Sequence, residues 1–160
     1  MYTLKPIEQK YNAEVEQVIR ACLMEMGHTH EGCAWTDPFL GRFSEVYAPD
    51  NAAYWVAVDD DDHVVGGAGI GPWPARADVC ELQKMYILPE ARHSGLSKRL
   101  IETVLAFARE HYDYCYLETF ANMEAAMKLY ESFGFDYLDG PITETEHFTC
   151  DKWMLKDLRK

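Results

Sequence analysis

No Cys-x-x-Cys pair occurs in the chain, and its five cysteines (Cys22, Cys33, Cys80, Cys115 and Cys150) are odd in number and far apart. That excludes a disulfide framework and a four-cysteine zinc site, and points to reduced thiols packed as small apolar side chains in a cytoplasmic protein. Cations are few: 15 Lys and Arg stand against 27 Asp and Glu, a formal net charge of −12. Nucleic acid is thereby excluded as a general electrostatic partner, since phosphate binding draws on cationic side chains. An acidic surface instead attracts cationic small molecules such as amines, besides keeping the protein soluble. No apolar run approaches the ~20 residues of a membrane helix, so no membrane partner is expected. The start, Met1-Tyr2-Thr3-Leu4-Lys5-Pro6, lacks the basic-then-apolar pattern of a secretory leader. The Gly-Lys-Ser/Thr of a P-loop and the triple glycine of a dinucleotide fold are also missing, which removes a nucleotide hydrolase and a dinucleotide-dependent oxidoreductase. Repeats, low-complexity stretches and linkers are absent as well.

What is present suits one globular domain over residues 1–160, with 48% hydrophobic and 26% charged residues. Thr3 to Ile7 reads as a short strand. Asn12 reads as a helix cap before Val15, Val18, Ile19, Cys22, Leu23 and Met26 at helical spacing, ended by Gly27. His28 to Pro49 is irregular, with a second short helix from about Asp37 to Tyr47. A hairpin follows, Ala53–Val58 and Val64–Gly71 about a turn at Asp59–Asp62, broken by Pro72 and Pro74. Val79–Leu88 is a longer strand stopped by Pro89, and Leu96–Glu110 an amphipathic helix. Tyr114–Thr119 is a strand, Met123–Phe133 a helix ended by Gly134, and Phe135–Leu138 and Phe148–Leu155 two closing antiparallel strands. The strand–helix–strand unit from Val79 to Thr119 favours a right-handed parallel crossover inside an otherwise antiparallel sheet, an α+β arrangement rather than a doubly wound one.

The segment that carries chemistry is Pro89-Glu90-Ala91-Arg92-His93-Ser94-Gly95-Leu96-Ser97-Lys98. A strand stops, a short turn bears Arg92 and Gly95, and a helix begins at once. A helix start presents unpaired N–H groups and partial positive charge, so this geometry suits a phosphate. Gly95 admits close backbone approach, and Lys98 and Arg99 add positive charge. By itself such a turn also fits an ordinary capped helix.

Arg92-His93-Ser94-Gly95-Leu96-Ser97 resembles the acetyl-CoA motif of the GNAT acetyltransferase superfamily, Gln/Arg-x-x-Gly-x-Gly/Ala after a hydrophobic-x-Pro strand end, with Ser97 in place of the last small residue. Leu129-Tyr130-Glu131-Ser132-Phe133-Gly134-Phe135 resembles the superfamily's second landmark, Leu-Tyr-Glu-x-x-Gly-Phe. The resemblance is firm over residues 53–138 and looser in the N-terminal third. It implies a GNAT-like acyl-CoA N-acyltransferase fold: a mostly antiparallel twisted sheet with one splayed parallel pair and about four helices. It further implies transfer of acetyl from acetyl-CoA directly to a primary amine, with the pantetheine arm along Met85, Tyr86 and Ile87 and the pyrophosphate on Arg92, His93, Ser94, Gly95, Leu96, Ser97 and Lys98. A backbone N–H near Met85 or Tyr86 would serve the oxyanion. Tyr130 is implied as the general acid. Two carboxylates compete for the base: Glu81, six residues before Ile87, and Glu118, twelve before Tyr130, with Glu81 preferred. Relatives place a cofactor-contacting asparagine seven residues before the tyrosine; here Met123 stands there and Asn122 one residue earlier, so Asn122 is expected to cap the helix or reach the cofactor.

The alternative function on the same fold is a non-catalytic acyl-CoA-binding regulatory module. The acceptor, small molecule or protein, is not readable, and a homodimer is compatible. His28-Thr29-His30-Glu31-Gly32-Cys33 has donor types for zinc but no second ligand pair, so no metal is expected, and this stretch with Trp35, Phe39 and Tyr47 is read as the acceptor lip. His147 and Cys150, three apart on an expected strand, would point to opposite faces and not pair as a nucleophile and its base, though His147 could still touch substrate from the last hairpin.

Overall fold

Seven strands form one sheet in the computed structural model, which describes residues Met1–Lys160. They are Thr3–Pro6 (β1), Ala53–Val58 (β2), Val64–Trp73 (β3), Arg76–Ile87 (β4), Tyr114–Thr119 (β5), Asp136–Leu138 (β6) and Lys152–Asp157 (β7), in the order β1-β2-β3-β4-β5-β7-β6. All neighbours pair antiparallel except β4 and β5. Side-chain alternation at a period of two splits the strands between two cores. In β2, Tyr54, Val56 and Val58 face one side, against Asn12–Met26 (α1) and Phe43–Val46 (α2), while Ala57 and Trp55 face the other. On that second face lie Leu96–His111 (α3) and Glu124–Ser132 (α4).

The buried stripes follow from the helical period. In α3, Leu96, Leu100, Ile101, Val104, Leu105 and Ala108 are buried, and in α1 Val15, Val18, Ile19, Cys22 and Leu23. Gly27 ends α1 at φ 78°, a conformation open to glycine, and lets the His28 N–H bond the Leu23 carbonyl at 2.9 Å. No helix is long and apolar enough to cross a membrane.

The feature that positions the site is a split in the sheet. β4 and β5 share three register pairs, Val79↔Tyr114, Cys80↔Cys115 and Glu81↔Tyr116, and then part, although β4 runs on to Ile87 and β5 to Thr119. β5 stays paired to β7 along its whole length. β4 bends instead, because its register against β3 jumps between Gly67↔Tyr86 and Gly69↔Gln83, leaving Lys84 at φ 52°. A bulge of this kind twists one strand away from its neighbour.

Four expectations need correction. The second helix is confined to Phe43–Val46, since Pro38 and Gly41 interrupt the wider span. Asp37, preceding Pro38, is extended at φ −64°, ψ 128°. β3 continues through Pro72 to Trp73, tolerated because β2 no longer pairs beyond Ile70. Residues 148–151 are not strand: the last strand begins at Lys152, so the argument that His147 and Cys150 face opposite sides of a strand does not apply. Asn12 caps no amide of its own helix; its side chain instead receives the Ser44 N–H at 2.9 Å and reaches the Ser44 hydroxyl at 2.7 Å, tying α1 to α2.

Candidate active site

Strand alternation sets the carboxylates. Cys80 and Leu82 of β4, like Cys115 and Leu117 of β5, point into the core under α3, so Glu81, Gln83, Tyr116 and Glu118 take the opposite face. Glu81 is on the last shared rung and Glu118 just beyond it, at the mouth of the split. One carboxylate oxygen of each and a ring nitrogen of His147 lie within 4.8 Å of one another. The Gln83 amide donates to Glu81 Oε1 at 2.8 Å, while the Tyr116 and Thr145 hydroxyls donate to Glu118 at 2.9 and 2.6 Å. Burial raises the Glu81 pKa above the usual carboxylate value, against the opposing effects of the Gln83 hydrogen bond and the Lys84 charge. Such a carboxyl is a better proton acceptor than an exposed glutamate. The three acceptors could attract a cation; with Lys84 already acting on Glu81, a singly charged ammonium suits them better than a divalent metal.

A buried ion pair stands beside them. Lys84 Nζ lies 2.6 Å from Asp37 Oδ2, with the two side chains 9% and 10% exposed. His147 Nε2 lies 3.2 Å from both Asp37 oxygens. Burial works against the Asp37 carboxylate, but the His147 hydrogen bond and the Lys84 charge overcome it and hold its pKa below the usual range.

Two cavities meet at this cluster. The larger, about 440 Å³, opens toward Phe39, Tyr47, Trp73 and Glu144. The smaller, about 80 Å³, runs between the parted strands along Met85, Tyr86, Thr119 and Tyr130. Glu81, Gln83, Lys84, Glu118 and His147 line both. Tyr130 is 7% exposed, edge-on to Phe135 with ring centroids 5.9 Å apart, and burial pushes its hydroxyl up to about 12, with Cys115 adding to the shift. Cys150 also lines the smaller cavity, but burial raises its thiol to about 12, so little of it is the nucleophilic thiolate near neutral pH.

On the far side of β4 the chain turns into α3. His93 (φ 60°) and Gly95 (φ 81°) both adopt left-handed conformations, and the Ser94 hydroxyl donates to the Ala91 carbonyl at 2.6 Å. A Cβ at Gly95 would meet nothing within 4 Å, so glycine is required there by the backbone angle and not by crowding. The amides of His93, Ser94, Gly95, Leu96, Ser97 and Lys98 donate to no group of the chain; the first helical bond is from Arg99 to the Gly95 carbonyl at 3.2 Å. Six successive open N–H groups at a helix start are a donor set that could hold an anion.

A family model for the GNAT acetyltransferases matches residues 18–135. The chain belongs to the GNAT family. YjgM of Escherichia coli K12, called an uncharacterized N-acetyltransferase, is 41% identical over 150 residues, 92% of this chain and 89% of its own length. N-acetyltransferase 8 of Homo sapiens is 35% identical over 88 residues, 52% of this chain but only 38% of the human protein. Among solved structures, an acetyltransferase of the GNAT family from Staphylococcus aureus Mu50 superposes with a TM-score of 0.84 at 19% identity, covering 99% of each chain. YncA of Salmonella typhimurium, solved with its cofactor acetyl-CoA, gives 0.75 at 17% identity, covering 99% of this chain and 94% of YncA. The GNAT fold expected from the two motifs is thus present, splayed parallel pair included, and the chain is an enzyme of the N-acetyltransferase type.

Within this GNAT frame the two glutamates set against each other as rivals stand together, and Tyr130 shares the smaller cavity with Met85 and Tyr86. The Arg92 side chain turns from the open amides toward α1, where it donates to Glu25 at 2.6 Å and to the Ile87 carbonyl at 2.9 Å. Asn122 makes no capping hydrogen bond to α4, whose cap position is Met123, and its amide stands beside His28. His28 is buried and stacked on Phe120 with centroids 3.8 Å apart, and the Cys33 thiol donates to the His28 and His30 carbonyls. Of the expected lip, Phe39 and Tyr47 do line the larger cavity, whereas Trp35 packs under Arg20. Sequence reasoning missed Asp37 and Lys84. Their only sequence-level trace is that each is a charged residue in an apolar setting, Asp37 before proline and Lys84 inside a strand.

Proposed function

We propose that this chain transfers the acetyl group of acetyl-CoA to the primary amine of a small acceptor held in the larger cavity. What supports the reading is that six amides without acceptors, His93–Lys98, follow the end of β4, that the Glu81–Glu118 pair stands where β4 and β5 part, and that Tyr130 lines the smaller cavity between those strands. In this reading those amides take the pyrophosphate and the pantetheine arm follows Met85, Tyr86 and Ile87 into the smaller cavity. Arg92 supports the turn from its α1 side rather than meeting the phosphate, and Asn122 would contact the cofactor from beside His28, which lines the smaller cavity. The thioester then reaches the cluster that both cavities share. The lysines and arginines are too few to attract an anionic acceptor, and the glutamates favour an ammonium.

Glu81 takes a proton from the ammonium, and Glu118, fixed by two hydroxyl donors, holds the amine in place. The amine nitrogen attacks the carbonyl carbon while a backbone N–H freed by the β4 bulge near Met85 or Tyr86 faces the developing oxyanion. As the C–S bond breaks, Tyr130, kept protonated by burial, stands beside the sulfur; the same burial raises the thiolate's own affinity for a proton. Acetyl-CoA consumption with a panel of primary amines tests the reading. Amine-dependent release of free thiol is expected; tight CoA binding with no amine in the panel consumed would replace it with the acyl-CoA-binding module.

A further inference from the structure

We infer that His147 is a second proton acceptor of this site, held in its working orientation by the buried Asp37–Lys84 pair. The inference rests on the acetyl-transfer reading above and extends it. Acylating R–NH3+ strips the nitrogen of two protons, one before the C–N bond forms and one after. One proton ends on the coenzyme A sulfur as the C–S bond breaks, and the other leaves to water. A single carboxyl can hold one at a time, so a second acceptor beside the amine relieves it.

The position is already furnished. A ring nitrogen of His147 lies within 4.8 Å of a carboxylate oxygen of both Glu81 and Glu118. Both oxygens of Glu118 already receive hydroxyl donors, which leaves the imidazole as the less committed of the two neighbours of Glu81. His147 Nε2 faces both Asp37 oxygens at 3.2 Å, so Nε2–H is the donor and the neutral ring carries its lone pair on Nδ1. Asp37 is itself fixed by Lys84 at 2.6 Å, and Lys84 by the bulge that sets its φ at 52°. The His147 side chain is 22% exposed, which gives a proton a way to water that Asp37 and Lys84, at about 10%, do not have. A proton arriving on the ring has Asp37 of the α1–α2 connection at 3.2 Å and Glu81 of β4 and Glu118 of β5 within 4.8 Å, while Lys84 of β4 and Glu144 and Glu146 of its own loop line the same cavity. The imidazolium is therefore ion-paired rather than isolated. In these terms His147 is a catalytic residue and Asp37 a positioning residue.

The test is the pH profile of kcat and kcat/KM for the best amine, with wild type, H147Q, H147A and D37N, and coenzyme A-induced thermal shift as the check that each variant folds and binds. H147Q is expected to lose on the order of 100-fold in kcat with little change in KM. The acid limb of log kcat/KM, which carries a slope of about 2 when two acceptors must be unprotonated, falls toward 1. Added imidazole restores H147A by roughly tenfold or more, which a packing role could not produce. D37N lowers kcat by about tenfold and leaves coenzyme A binding unchanged. An active wild type whose His147 variants keep kcat, or lose only KM without imidazole rescue, overturns this inference and leaves the acetyl-transfer reading intact. A wild type that consumes no thioester with any amine overturns both.

Discussion

Glu81 is held in surroundings that disfavour its charge, and that single fact links rate to stability. Its carboxyl pKa is raised in the folded chain chiefly by burial. The folded state therefore binds this proton more tightly than the unfolded state. The stabilising contribution is complete below the unfolded value near 4.5 and is lost as pH rises through the raised value. Glu81→Gln should accordingly raise Tm at pH 7–8, while lowering turnover on the order of 100-fold there. The rate deficit should shrink as pH falls, because the wild-type carboxyl then protonates too. Glu118→Gln should cost less in kcat and more in KM for the amine; a larger kcat loss at Glu118 than at Glu81 would reverse their roles. Tyr130→Phe should lower kcat by tenfold or more and leave coenzyme A affinity within about twofold, since the ring's packing on Phe135 survives. The positions of Glu81, Glu118 and Tyr130 were legible because each has a fixed offset from a motif. Asp37 and Lys84 were not, and His147 was singled out without its partners, since its contact with Asp37 joins residues 110 apart in the chain and the Lys84–Asp37 pair depends on a bulge that no local pattern announces.

Among the elements, those with a strong period were the most readable. β5 was found residue for residue and α3 to within one residue of its end, because α3 buries an unbroken stripe and β5 is paired on both sides at its start. α2 and the start of β7 were overdrawn, since Pro38 and Gly41 stop the one and a turn in which the Cys150 N–H bonds the His147 carbonyl at 3.1 Å precedes the other. That turn is what brings His147 to the cluster. The bulge in β4 is the element on which the site depends most, and the Lys84–Asp37 pair ties it to the α1–α2 connection. Lys84→Met should leave the buried Asp37 carboxylate with His147 as its one remaining partner and destabilise the fold by about 3 kcal/mol in denaturant unfolding. Lys84→Met combined with Asp37→Asn should recover part of that loss; a double variant as unstable as the sum of the two singles would show that the pair is not coupled.

At the scale of the molecule, two asymmetries make the site: a sheet that is continuous except where β4 and β5 part, and a strongly acidic chain that places Lys98 and Arg99 at the open amides of the turn into α3. The charge should steer cationic acceptors toward the cluster, so kcat/KM for a diamine should fall with added salt more than for a zwitterionic amine of similar size. The central claim, that the His93–Lys98 amides grip the pyrophosphate of coenzyme A, is tested most directly by amide hydrogen exchange. With no acceptor in the chain, these six N–H groups exchange rapidly in the free protein. Coenzyme A should slow them by tenfold or more, and pantethine, which lacks the pyrophosphate, should not. Unchanged exchange at His93–Lys98 under saturating coenzyme A, with protection appearing elsewhere, would contradict the account.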